Sequence, residues 1–508
     1  MNQSTVPPTE IPDAALPAPG APGSPARSHP YGAWVAWAAI LLVAGMSIFA
    51  DRFVADSEQG EQLDDTVGLI LVHIQGKYLI GASALLPMNP QLYAQSETIL
   101  NLGTLPQRQR FVVMAAELAG PAEARRHLDA LDQLIAAPPV GEPPAFDPNE
   151  VAVQRILHDL YPSGLDDLDI HDARAVAEAV EISPDDRAVL IEGLGWFGEL
   201  AAAGRGDADA ARRDAILGSA KVVAAVIFGV AILGVGGGLL GLVGLVLALV
   251  FVISGRMRSG LGVSRGPHGV YAETFAVWLF LFIGLQQMLS LVQDDALHMM
   301  LVIASFPLSL VALAWPVLRG VPWGDVRQDV GITLGTRPLL EPLIGLGGYL
   351  VTLPLLGAGM IITLGLMGLQ GAMADVPPTF SPTAGAAHPV ITYMSGPDIG
   401  PKLLVLVLAA VCAPVVEETM FRGVLYRHLR GGTGRLGPAV SIVLSTFANT
   451  FLFAAIHPQG FVAIPALMGL ACGMTLIREW RGTLVPSIVI HGASNAIVMS
   501  VLWIALGV

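Results

Sequence analysis

Residues 222–253 read VVAAVIFGVAILGVGGGLLGLVGLVLALVFVI, thirty-two consecutive positions without a charged side chain. An α-helix rises about 1.5 Å per residue, so roughly 20 apolar residues cross the ~30 Å hydrocarbon layer of a bilayer. This run exceeds that length. Similar uncharged runs recur at about 275–292, 297–318, 343–369, 401–416, 438–456, 461–477 and 484–506, and an earlier one covers 33–50. Together they predict about nine passes. The fold expected is all-α: a polytopic membrane helical bundle of about 8–9 transmembrane helices. Composition agrees, with 53% hydrophobic and 13% charged residues in a chain of 508, against about 25% charged in soluble proteins.

The segments before the long run differ from it. Residues 1–30 are rich in Pro, Ala and Ser and read as a disordered tail. The run at 33–50 starts too late, and without the basic prelude, for a secretory signal. It reads as an uncleaved anchor within 31–54. Residues 51–215 hold 12 basic against 28 acidic side chains, a net charge of −16. Runs such as Gln107–Leu118 and Ala122–Ile135 have helical spacing and are separated by Pro and Gly breaks. Residues 55–215 are therefore expected to form an acidic, water-soluble, all-helical insert between the first and second transmembrane helices, an accessory domain able to dock an unknown partner.

Charge narrows the remaining classes. A net −14 for the whole chain argues against a nucleic-acid partner. Two cysteines, Cys412 and Cys472, both in apolar runs, leave no disulfide framework and no cysteine-built zinc site. Arginines cluster after alternate passes, at 256–265, 319–337, 427–435 and 478–481, while the intervening connections are acidic or neutral. The positive-inside rule then predicts a cytoplasmic amino terminus, with residues 51–215 outside. An integral, multi-pass place in the membrane is the expected location.

Three polar clusters interrupt the last hundred residues. Glu417-Glu418-Thr419-Met420-Phe421-Arg422 follows the unbroken apolar stretch Leu403–Val416. A charge at a helix centre costs about 2.5–3.5 kcal/mol on insertion scales, so paired carboxylates there need a partner or a wet cavity. Glu418 and Arg422 are four apart and share a face. Glu417 points about 100° away. The second cluster is Phe453-Ala454-Ala455-Ile456-His457, at the end of an apolar helix. The third is His491-Gly492-Ala493-Ser494-Asn495, inside the last one. Taken singly, each also fits a structural role: a salt-bridged helix end, a capping histidine, a polar pair joining helices. Taken together, two carboxylates, two imidazoles and a carboxamide are what hydrolysis of a peptide bond inside a membrane needs. A carboxylate or imidazole takes the proton from water, a donor steadies the oxyanion, and a divalent metal could lower the pKa of its bound water. The H-E-x-x-H zinc motif is absent.

In order, E-E-x-x-x-R, F-x-x-x-H and H-x-x-x-N resemble the CPBP family of intramembrane proteases, which includes the type II CAAX-prenyl endopeptidases and the bacterial Abi, or bacteriocin-immunity, proteins. The resemblance covers residues 398–508, with a domain start as early as 270, and 216–397 supplies the preceding transmembrane helices. It implies an intramembrane endopeptidase acting on a peptide or small-protein substrate at the lipid bilayer. Glu417 would be the base, assisted by His457. Glu418 would pair with Arg422 and shape the site, and His491 and Asn495 would form the oxyanion pocket. Glu417, Glu418, His457 and His491 are the candidate ligands for a divalent metal such as zinc; metal-dependent and metal-free glutamate mechanisms both stay open. The alternatives are a proton- or ion-coupled transporter, for which the hydropathy pattern offers no convincing repeat, and an inactive Abi-like scaffold. One tension is built into the pattern. Simple crossings put His457 at the outer end of its helix, away from Glu417 and His491. Convergence requires helix 438–456 to start deeper, or the loop at 458–460 to re-enter.

Overall fold

A computed structural model describes residues 31–54, 58–86, 90–136 except 102, 146–164, 180–204, 210–374 except 263 and 266, 393–394, 396, 398–457 and 460–507. The tail at 1–30 and the turn at 458–459 lie outside the described residues. These residues contain helices and no strand, and nine of the helices are long and apolar enough to cross a membrane. The protein is an all-α, multi-pass membrane protein.

The insert comes first. Helices α2 (Glu58–Leu85), α3 (Pro90–Leu100), α4 (Leu105–Leu118), α5 (Pro121–Ala136), α6 (Pro148–Leu160), α7 (Pro184–Leu194) and α8 (Trp196–Ala202) enclose one core. Phe111, Met114, Leu128, Leu157, Leu190 and Phe197 are buried there. Starts are marked by side chains that satisfy free backbone N–H groups, as at Asp147 and Ser183, each followed by Pro at the first helical position. A helix too long for one environment joins insert to membrane. Helix α9 (Ala210–Ile253) has 44 residues, about 66 Å at 1.5 Å per residue. Its first turns bury Ile216 and Ala220 in the insert core, while Ile232, Leu233 and Leu240 further along are exposed, as lipid contact demands.

Two elements differ from the sequence expectation. The window Gly68–Leu85 of α2 counts among the nine apolar helices, although it falls in the stretch read as water-soluble. The reason is packing on two sides. Val72 and Ile80 face the insert core, Gly81 lies against the Ala220 carbonyl, and Tyr78 meets Phe228 of α9. The expected anchor is helix α1 (Gly32–Val54), whose apolar part, Gly32–Ile48, is shorter than the other spans. It is more than a tether. Ala36, Ile40 and Val43 are buried in the bundle core, and Trp37 donates to His428 Nε2 at 2.9 Å.

The bundle continues with α10 (His268–Leu289), α11 (Asp295–Leu318), the short α12 (Trp323–Val330), α13 (Glu341–Ala374), α14 (Ile399–Leu436), α15 (Pro438–Ile456), α16 (Ile464–Arg481) and α17 (Val485–Gly507). Tyr271, Phe275, Met420, Phe421, Phe453, Met474 and Ile490 form its buried centre. Glycines set the closest helix approaches. A Cβ at Gly241 of α9 would sit 1.8 Å from the Leu350 carbonyl oxygen of α13, and one at Gly469 of α16 would sit 2.3 Å from that of Leu355. The arginine-rich connections gather at one end of the bundle, and the insert occupies the far end of α9.

Candidate active site

Helix α14 carries the first motif and is not a uniform α-helix. Leu408–Cys412 and Thr419–Leu425 are π-helical, flanking the α-helical segment Ala413–Glu418. Such turns are rare and leave carbonyls without their usual partners. Here α17 supplies one: Asn495 Nδ2 donates to the Ala409 carbonyl at 2.8 Å. Next to it, Gly492 lets the backbones meet, because a Cβ there would lie 2.5 Å from the Ala410 oxygen. Gly423, just after Arg422, plays the same part toward α12, where a Cβ would lie 2.5 Å from the Val330 side chain.

The three motifs converge. His457 Nε2 lies 3.5 Å and His491 Nε2 lies 3.8 Å from the same atom, Glu417 Oε2. Each imidazole is held by its other nitrogen. His457 Nδ1 donates to the Phe453 carbonyl at 2.6 Å, and His491 Nδ1 donates to Glu418 Oε1 at 3.0 Å. Since the acceptors have no proton to give, both Nδ1 atoms carry the hydrogen and both Nε2 atoms face inward. Glu418 and Arg422 are fully buried, and Arg422 Nη1 donates to Glu418 Oε1 at 2.9 Å, as their four-residue spacing predicts. Glu417 and His457 differ in keeping 19% and 20% of their side-chain surface exposed. The pairing of Arg422 with Glu418 therefore makes the rigid back of the site, and Glu417 with His457 its accessible front.

Phe453 explains the F-x-x-x-H spacing. Besides giving its carbonyl to His457, its ring packs 4.1 Å from the centre of the His457 ring and 5.8 Å from that of His491. The Arg422 guanidinium carbon sits 4.1 Å from the ring centroid, a cation–π contact in a desolvated setting.

The depth of His457 is set by where α15 begins. Thr433 Oγ1 bonds Ser441 Oγ at 2.7 Å and Ser445 Oγ at 2.9 Å, and Arg430 also bonds Ser441. The first two turns of α15 thus run beside the basic end of α14. From Ser441, beside Arg430, to His457 is about 24 Å of helix, and from Arg430 to Glu417 about 20 Å. The two runs are of similar length, so the two residues arrive at nearly one level.

Asn495 is not brought into the carboxylate–imidazole cluster; its amide serves the π-helical turn. The motifs gave no hint of that turn. Reading by motif also missed the polar anchorage below the site. Tyr426 OH and Arg430 both bond Glu479, and Asp329 accepts from Tyr271 OH and Arg427. A signal existed, because Glu479 is the one acid in the otherwise apolar and basic stretch 461–481.

Residues 399–497 match the family model described as type II CAAX prenyl endopeptidase Rce1-like. This part of the chain is therefore similar to the CPBP, or CAAX-protease, family that the three motifs resemble. No curated protein and no solved structure matches the chain.

Proposed function

We propose that this protein is an intramembrane endopeptidase that hydrolyses a peptide bond of a membrane-associated or small protein substrate, with Glu417 as the base. The observation that carries this reading is the approach of two Nε2 atoms to one carboxylate oxygen that has no hydrogen-bond donor of its own. The match of residues 399–497 to a protease family supports it. Water reaching the exposed side of Glu417 loses its proton to that carboxylate; the proton moves on to the lone pair of His457 Nε2, whose ring is fixed through Nδ1, and from there to the leaving amine. Once protonated at Nε2 as well, His491, oriented by Glu418 as Glu418 is by Arg422, donates from Nε2 to the developing oxyanion. Asn495 spends an amide hydrogen on Ala409, so it acts by positioning α17.

The donor types would also suit a divalent metal, although Glu417, His457 and His491 are not gathered within the common reach that Glu97, Glu123 and His127 show. Glu417 Oε2 is buried without a donor, and each histidine donates its Nδ1 proton to a carbonyl or carboxylate, as metal-ligating histidines do. Glu417, His457 and His491 would hold an ion once drawn together, while Glu418, engaged by Arg422, would orient His491 and the Phe453 carbonyl would orient His457. A bound zinc would supply water of lowered pKa. The arginine-rich end is proposed to be cytoplasmic and the insert to lie outside.

The test is cleavage of a defined membrane-anchored peptide by purified protein, with the Glu417→Gln variant as control. Comparing membrane proteomes of cells carrying either form would reveal an uncleaved substrate. Full activity in Glu417→Gln would remove Glu417 from the base role.

A further inference from the structure

The arginine-rich end of the bundle contains a cavity of ≈ 690 Å³, walled by the loop Gly260–Gly262, Arg265, Gln328 and Asp329 of α12, Arg427 of α14 and Arg478 of α16. We propose that it binds a phosphate-bearing anion. Its charges are not all matched from within. Arg265 pairs at the rim with Asp325 at 3.3 Å, and Arg427 pairs with Asp329 at 2.9 Å. The Asp329 carboxylate is already saturated: Ser264 Oγ, the Arg265 backbone N–H and Tyr271 OH donate to it as well. Arg478 has no ion pair among the described residues, although it is only 1% exposed. Its Nη2 donates to the last carbonyls of α12, Asp329 at 3.1 Å and Val330 at 3.0 Å. Capping that helix accounts for one nitrogen of the guanidinium. Arg478 Nε and Nη1, and Arg427 Nε, have no partner.

Burying a cation without a counter-charge is unfavourable, and an anion in the cavity offsets that cost. Guanidinium geometry suits the oxygens of a phosphate. Location selects the same chemistry. The cavity opens among basic helix ends, where a bilayer places headgroup phosphates, and recesses of this kind between transmembrane helices take anionic headgroups. The volume suits a phosphodiester with its alcohol better than a bare ion. One wall is built for close approach: Gly260 and Gly482 meet backbone to backbone, and a Cβ on Gly260 would lie 2.4 Å from the Trp480 oxygen.

The test uses the full chain in neutral detergent. Thermal unfolding is followed while inorganic phosphate is titrated against chloride of matched ionic strength. Native mass spectrometry then compares retention of phosphatidylglycerol with that of phosphatidylcholine. Phosphate should raise Tm where chloride does not, and Arg478→Gln should weaken the effect about tenfold, the loss of a charged hydrogen bond. Gln328→Glu, on the exposed rim, leaves the fold intact and should weaken binding by repulsion, which keeps the test decisive if Arg478→Gln does not fold. Selective retention of phosphatidylglycerol assigns the site to a headgroup; a response to inorganic phosphate alone assigns it to a free anion. Equal responses to phosphate and chloride without lipid selectivity, or an undiminished response in Gln328→Glu, would overturn the proposal.

Discussion

The insert and the bundle each assemble glutamates, histidine and arginine, yet the two clusters are chemically unlike. In the insert, Glu97, Glu123 and His127 come within a common reach on α3 and α5. Both imidazole nitrogens and one oxygen of each carboxylate there are occupied. Asn101 donates to His127 Nδ1 at 3.3 Å, His127 Nε2 bonds Tyr93 OH at 3.1 Å, and Tyr93 donates to Glu123. Arg126 bridges Glu97 and Glu123 from an exposed position. In the bundle, the histidines spend Nδ1 and leave Nε2 directed at a buried oxygen without a donor. Composition alone does not separate these clusters. What separates them is which atoms remain unspent, and whether solvent can screen them.

The comparison can be broken most directly by exchanging carboxylate for carboxamide in both places. Glu417→Gln should lower cleavage by about 10³-fold, within the range for loss of a general base, with Tm little changed. Glu123→Gln should leave cleavage as it was. Equal losses would show the insert to be part of the catalytic apparatus. Burial is tested next. Arg422→Met strands the Glu418 carboxylate and should cost about 3–5 kcal/mol of stability, read by denaturant unfolding. Arg126→Met, more than half exposed, should cost less than about 1 kcal/mol. A smaller effect probes the helix approach at the site: Gly492→Ala forces a methyl toward the Ala410 oxygen and should destabilise by about 1–3 kcal/mol, with activity falling as α17 shifts.

The smallest expected effect is a pH dependence in the insert. Burial holds the His127 imidazole below its ordinary value of 6.5, against the pull of Glu97 and Glu123. The unfolded chain therefore binds this proton more readily. His127 should stabilise the insert fully above about pH 6.5, and that contribution should fade as pH drops toward the lower folded value. A Tm series across this range should slope for the natural chain and flatten in His127→Gln. Identical slopes would assign the titration elsewhere.

Much of the bundle was legible because its physics is local. An uncharged run of sufficient length has few alternatives in water, so the reading at 222–253 and 438–456 needed no neighbour to interpret it. Pairing of Glu418 with Arg422 followed from helical period alone. The helix at 68–85 was less legible, since its two apolar faces serve two different neighbours, and a sequence does not say which surfaces will cover them. The π-helical turns at 408–412 and 419–425 were also hidden. They lie where α17 and α12 approach α14 closely, and Asn495 of α17 donates to one carbonyl, that of Ala409.

By itself, the sequence determined a polytopic all-helical chain, an acidic insert, and a short inventory of costly polar residues placed on separate apolar segments. Tertiary structure decided that those residues meet. It started α15 beside Thr433, so that His457 stops level with Glu417, and it assigned one nitrogen of each imidazole to an anchor and the other to the site. The physical reason is range: hydropathy and helical period act within one segment, while hydrogen-bond satisfaction and depth depend on what other segments bring into contact.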